Sequence, residues 1–416
     1  MNPLSASIHP WIIRLFCTYV FILPFSSWMA SLVLAFLFVL CLIYKISEKK
    51  FLRFSSFVML WLILFYLLHV TGLLYTENYS YAGLDLQIKL SFLLMPLLID
   101  QIPLPASAFR RLTRSFIAGC TLFSLILLVN AVMEYYIWHN GSSFFYTDFC
   151  SLQHVAYLTL YINCALFFLA DEFFRLPGYR LRNRYLLVLW MIFLVIIITL
   201  LASRTAQMAA LVSVSLYLFL LRRKTSRFAS SLTFSGITAV AMILIFLLIS
   251  GNRNRFDNPV SQPVPITNNI DVNESSTIQH NVRFEVWKNT LEVYRQHPVL
   301  GVGTGDIKDA LNRQYELAGF REGLEFNLSP HNQFLHTLLV LGIPGIITLL
   351  LIFGLAARNA VIHHNLLIPV LLIAVFINCM TEGILEKQAG VLFFTFFLIV
   401  LTGQKEEINS QQKAEA

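Results

Sequence analysis

The sequence predicts an all-α polytopic membrane helix bundle, and three observations carry that prediction. Of 416 residues, 57% are hydrophobic and 13% charged, with a mean hydropathy of +0.68. Soluble domains run about 45–50% apolar and about 25% charged. Apolar stretches long enough to cross a hydrocarbon core, about 20 residues in helix, recur along the chain. The basic residues fall in short clusters between alternate stretches, which is the signature of topology in a membrane. The net charge of +7 therefore reports orientation, and no nucleic-acid partner is expected.

Read with that ruler, the chain offers about twelve spans. They are 11–26, 28–46, 52–74, 84–101, 113–137, 154–170, 185–202, 205–221, 232–249, 331–353, 365–381 and 388–403. The first is an uncleaved helix, since no cleavage-site pattern follows it and a second span comes at once. The fourth carries Asp85, Gln87 and Lys89 in its first turns and is cleanly apolar only over Leu90–Ile99. With the N-terminus inside, the cytoplasmic segments collect Lys45, Lys49, Lys50 and Arg53, then Arg110, Arg111 and Arg114. Arg175, Arg180, Arg182 and Arg184 follow, then Arg222, Arg223, Lys224 and Arg227, and finally Arg358. The short outer loops near 75–88, 138–153 and 382–387 are almost free of them, and dropping the fourth span would reverse every later loop. The division is then spans one to nine over 1–249, a large outer loop over 250–329, spans ten to twelve over 330–403, and a polar cytoplasmic tail over 404–416.

Within the outer loop, Gly251–Gln279 is rich in Asn, Pro and Ser, without periodicity, and reads as irregular and mobile. Beyond it, Phe284, Trp287, Leu291 and Tyr294 fall on one apolar stripe, predicting a helix that lies along the membrane surface or against the bundle. Pro298 ends that helix, GVGTG over 301–305 makes a turn, and a second short helix runs from about Asp306 to Leu317.

Polar residues in such a chain are few enough to weigh singly. His331 follows Pro330 where the tenth span begins, which puts its imidazole on a first helical turn. A histidine there fits a general base, and equally an interfacial polar residue or a cap. Arg204 sits between spans seven and eight with almost no loop around it. An ionisable group at that depth is a functional hypothesis by default, with snorkelling to the interface as the alternative. Arg283 opens the amphipathic helix; its guanidinium fork suits phosphate oxygens, and also a solvated helix face. The GVGTG turn could offer backbone N–H groups to an anion, or simply stop a helix. Asp148, His154, Tyr157, Glu382, Glu386 and Lys387 lie near the outer face as secondary candidates for an acceptor or sugar groove. The six cysteines form no CxxC pair and mostly sit within apolar spans, so neither a disulfide framework nor a zinc site is expected. No HExxH, DxD or His/Cys pair at metal spacing occurs, so no metal and no cofactor is expected.

These residues also make a pattern. Arg283, Trp287, His297-Pro298, Leu300, Gly301, Gly303 and Gly305 are followed by Pro330-His331-Asn332, Phe334-Leu335 and Leu341–Gly345. Together with Ser203-Arg204 and the YTEN stretch, Tyr75–Asn78, this resembles the shared core of the O-antigen ligase and polymerase superfamily of bacterial envelopes. The resemblance implies a bundle likened to the metal-independent, lipid-carrier glycosyltransferases of the C type. It implies transfer of a glycan from undecaprenyl diphosphate to an acceptor hydroxyl at the periplasmic face of the inner membrane. The acceptor would be the lipid A core in a ligase, another glycan repeat in a polymerase, or a protein side chain in related enzymes. Arg204 and Arg283 match the family's arginines thought to hold the diphosphate, and His331 matches its histidine proposed to deprotonate the acceptor. A transporter of lipid-linked glycans is the rival reading; its marks would be internal repeats and paired broken helices at mid-membrane, and the sequence displays no clear repeat.

Overall fold

The computed structural model describes residues 2–49, 54–139, 141–175, 181–224 and 274–403. These residues are all-helical. The predicted ninth span at 232–249, the tail at 404–416 and most of Gly251–Gln279 lie outside them. In chain order come α1 (Pro3–Ile22), α2 (Ser27–Ser47), α3 (Phe57–Thr71), α4 (Tyr79–Lys89), α5 (Ser91–Leu98) and α6 (Ala106–Trp138). Next are α7 (Tyr146–Phe149), α8 (Val155–Arg175), α9 (Leu181–Leu200), α10 (Arg204–Lys224), α11 (Glu274–Gln296), α12 (Ile307–Ala318) and α13 (Arg321–Glu325). The chain closes with α14 (Gln333–Ile362), α15 (Leu367–Cys379) and α16 (Gln388–Gly403).

Seven helices of the described residues are long and apolar enough to cross a membrane, and four shorter apolar helices join them. The protein is a multi-pass membrane protein. Its outward surface is apolar in the way only a lipid solvent tolerates: Phe36, Tyr136, Ile137 and Trp138 are about two-thirds exposed or more. The doubtful fourth span holds, because α4 and α5 join through Leu90 into one crossing over Tyr79–Leu98.

The core forms around α8 and α16. Residues from Ala389 to Thr402 are all buried. Phe116, Tyr161, Phe393 and Phe397 stack with centroids 4.9 to 6.3 Å apart, the range in which aromatic pairs attract beyond simple burial. Two tyrosine hydroxyls taken into this core each find an acceptor. Tyr19 donates to the Leu392 carbonyl at 3.1 Å and Tyr161 to the Ala389 carbonyl at 2.8 Å.

The tenth span departs from expectation. In place of one crossing over 331–353, α14 is 30 residues long and broken at Gly342, where φ is 61° and ψ −149°. The rings of Phe334 and Phe353 both pack on Phe376, at 5.0 and 5.9 Å. In a straight helix nineteen residues span about 28 Å, so the chain doubles back at Gly342. The stretch 333–341 is a short arm folded against the bundle, and 343–362 is the crossing, about 30 Å long. At the far end of that crossing the Asn359 amide reaches Ser56, the N-cap of α3, at 3.4 Å.

The turn at 299–303 seals the reversal. Val302 and Gly303 N–H groups donate to the Leu339 and Val340 carbonyls at 2.8 and 3.1 Å, and Ile343 N–H donates to the Val299 carbonyl at 3.1 Å. A Cβ on Gly342 would lie 2.1 Å from the Val299 oxygen, and the positive φ already disfavours any side chain. Gly342→Ala is therefore expected to cost about 3 kcal/mol or more. Gly354→Ala, on the same helix with open space around it, should change stability by about 1 kcal/mol at most. Thermal unfolding in detergent, with the two variants side by side, checks this; equal losses would remove the backbone argument.

Candidate active site

The site lies where the short arm of α14 meets the segment joining α15 to α16. Asn332 is the N-cap of α14: its amide oxygen accepts Phe334 and Leu335 N–H at 2.9 and 3.1 Å, and its amide N–H donates to the Met380 carbonyl at 3.1 Å. Asparagine is among the strongest N-cap residues. The helix accordingly starts at Gln333, and His331 stands just outside it, not on its first turn as a start at Pro330 would place it. The His331 backbone is left-handed, with φ 44°. That conformation turns the ring toward Glu382, whose Oε2 lies 3.1 Å from Nδ1.

A carboxylate only accepts, so Nδ1 carries the proton of this pair, and in the neutral ring the lone pair is on Nε2. Both side chains are partly exposed, and an incoming molecule can reach them. Arg283 approaches the other oxygen of Glu382 at 4.0 Å and is itself half-exposed, which leaves guanidinium donors for an anion. Trp287, one turn along α11, donates its indole N–H to the Pro330 carbonyl at 2.8 Å and so fixes α11 beside His331. The face of α11 that packs inward is Val286, Asn289, Thr290 and Val293, while Phe284 and Leu291 of the predicted stripe point outward. The stripe marked the helix correctly, and half of it, Trp287 and Tyr294, is turned toward the bundle. The helix also begins at Glu274, earlier than expected. Residues 274–279 are largely polar, so hydrophobic periodicity is blind to that part.

Arg204 opens α10. Tyr217 on α10 donates to Asp171 of α8 at 3.0 Å, toward the C-terminal end of each helix. The N-terminal turn of α8 is at the site, since the Tyr157 hydroxyl donates to the Gly383 carbonyl at 3.4 Å. The contacts among the described residues bring Arg283 and His331 together through Glu382 and do not bring Arg204 to them. It is exposed and makes no ion pair among the described residues.

Beneath this pair lies a network that periodicity did not single out. Glu386 Oε2 receives Lys89 Nζ at 2.6 Å and His336 Nε2 at 2.8 Å, and its Oε1 receives the Gln333 amide at 2.5 Å. Gln333 Oε1 accepts Leu385 N–H at 2.7 Å, and Lys89 also bridges to Asp85. Lys89 and Gln333 are at most 1% exposed. Burial works against the charge on Glu386, but His336 and Lys89 outweigh it and hold its carboxyl well below the usual range. Lys89 and Asp85, which made the fourth span look unlike a span, are thus the charges that complete this cluster. An ionisable residue inside an apolar stretch was the available signal.

The glycine-rich turn has a structural job, not anion binding. Gly301 N–H donates to His297 and Gly305 N–H to the Thr76 hydroxyl at 2.8 Å, while the Thr304 hydroxyl donates to the His69 carbonyl at 2.6 Å. Asp306 accepts Glu77 and Asn78 N–H at 2.8 Å each, and Asp309 accepts the Asn78 amide at 2.9 Å. The YTEN stretch and the turn are one docking joint. Of the remaining secondary candidates, Asp148 is held by Ser142 at 2.6 Å and His154 Nδ1 accepts Ala156 N–H at 3.3 Å. Both are local loop and cap contacts, and Lys387 is exposed.

The depressed Glu386 pKa makes a pH prediction. Its stabilisation is complete above the ordinary carboxylate value of 4.5 and is lost as pH falls through the lower folded value. Melting temperature in detergent should therefore fall more steeply below pH 4.5 for the wild type than for Glu386→Gln; parallel curves would contradict the assignment.

Residues 187–350 match the family model described as O-antigen ligase, and no curated protein matches the chain. Arg204, Arg283 and His331 fall within the matched stretch, while Lys89, Glu382 and Glu386 fall outside it. The comparison supports a membrane enzyme of the ligase or polymerase type. The helical bundle and the match agree: residues 187–350 are similar to the O-antigen ligase family.

Proposed function

We propose that the protein is a metal-independent glycosyltransferase of the ligase type, acting at the periplasmic face of the bacterial inner membrane. It moves a glycan from undecaprenyl diphosphate to an acceptor hydroxyl, with the lipid A core as the favoured acceptor. The observation that carries this reading is Glu382 shared between His331, at 3.1 Å, and Arg283, at 4.0 Å. One carboxylate sets both the base and the cation beside it.

The step follows from those positions. The acceptor hydroxyl gives its proton to Nε2 of His331 as its oxygen attacks the anomeric carbon. The bond from that carbon to the diphosphate oxygen breaks, and the leaving diphosphate keeps the electron pair. Glu382 holds the imidazole by Nδ1 and balances the imidazolium that forms, as a carboxylate does for a catalytic histidine elsewhere. Arg283 and Arg204 meet the charge developing on the diphosphate, the work that a metal ion does in other phosphate chemistry. A donor with a lipid tail suits a site at the end of an apolar bundle.

The test is transfer of label from an undecaprenyl-diphosphate oligosaccharide to the lipid A core by the purified protein. His331→Ala should lower the rate by about 10²- to 10⁴-fold, the usual contribution of a positioned base. Label passing only between donor glycans would make the enzyme a polymerase. No release of undecaprenyl diphosphate with any acceptor would sink the transferase reading.

A further inference from the structure

The segment 380–386, which carries Glu382, is pinned almost entirely by the arm that carries His331. Asn332 holds Met380 at 3.1 Å. Gln333 clamps the other end, taking Leu385 N–H at 2.7 Å and giving its amide to Glu386 at 2.5 Å. His336, one turn on, reaches the same carboxylate at 2.8 Å. From the far side Lys89 on α4 closes on Glu386 at 2.6 Å, and Tyr157 on α8 reaches Gly383 at 3.4 Å. Glu382 itself is held by backbone only through its N–H to the Asn378 carbonyl, at 2.9 Å.

A largely buried carboxylate beside a fully buried lysine is expensive to maintain, and a set of apolar residues of similar size in place of the whole cluster would often serve stability as well. Removing Glu386 alone would take from Lys89, His336 and Gln333 the acceptor they share, and would free the segment between α15 and α16 to slide.

We propose that Glu386, gripped by Gln333, His336 and Lys89, is a positioning residue that fixes Glu382 against His331. It touches no substrate. It acts through the short segment it terminates, and through it the base keeps its tautomer. The inference rests on the proposed role of His331 for its catalytic meaning, but the geometry can be tested without turnover.

The probe is diethyl pyrocarbonate, which acylates a neutral imidazole at its free nitrogen, read at His331 by mass spectrometry on the folded, detergent-purified protein. Glu382→Gln sets the rate for a His331 that has lost its carboxylate partner. Glu386→Gln should move the labelling rate most of the way to that value, and lower transfer by about ten- to a hundredfold with donor KM changed less than about threefold. Gln333→Met removes the clamp without stranding a charge, and should do the same if Glu386→Gln does not fold. Wild-type labelling in both Glu386→Gln and Gln333→Met, with Glu382→Gln shifted, would overturn the positioning role. No shift in Glu382→Gln would overturn it too, since there would be no pairing to position. Absence of transfer by the wild type, with the labelling shifts intact, would fault the transferase reading and leave the brace standing.

Discussion

A helix cannot reverse inside an apolar bundle unless the backbone groups it frees find partners. At Gly342 they do, because the turn at 299–303 lies across the break and exchanges hydrogen bonds with both sides of it. That turn is held in its own place by Thr76, Asn78 and the His69 carbonyl at the top of α3. The dependence runs in one direction. The end of α3 fixes the turn, the turn fixes the reversal, and the reversal puts the arm at 333–341 beside the ends of α15 and α16. Without it, His331 and Glu382 would belong to helices with no reason to meet.

The bundle was largely legible because lipid imposes one rule on every span, and the basic clusters report the rest. The fourth span was readable through parity even though its polar residues argued against it. Gly342 was not legible: LGIPG reads as a plain apolar stretch, and only the approach of Val299 to within 2.1 Å of where a Cβ would stand reveals why glycine is there. Arg283 and His331 could be singled out because a charged or titratable group stands out against apolar sequence. Their link through Glu382 could not, since 51 residues separate His331 from its partner. GVGTG left two readings open for a different reason. Glycines that let backbones touch look the same in sequence as glycines that let a backbone touch a phosphate.

The polar residues sort by depth. Arg283, His331 and Glu382 are partly exposed and able to meet a ligand, whereas Lys89, Gln333 and Glu386 lie one layer lower, where every donor must be matched. Arg204 is carried by a helix that packs mainly against α15. The two arginines are carried by separate elements, so under the proposed function the diphosphate is met from α10 and α11 separately.

Four of six consecutive residues, His331, Asn332, Gln333 and His336, reach the same seven-residue segment. Such an arrangement works as an index. Each residue added to a helix rotates every later side chain by about 100°, so one insertion between Asn332 and His336 would misdirect several contacts together. A loop can change length and leave such contacts alone, but this stretch can be altered only by substitution, never by length.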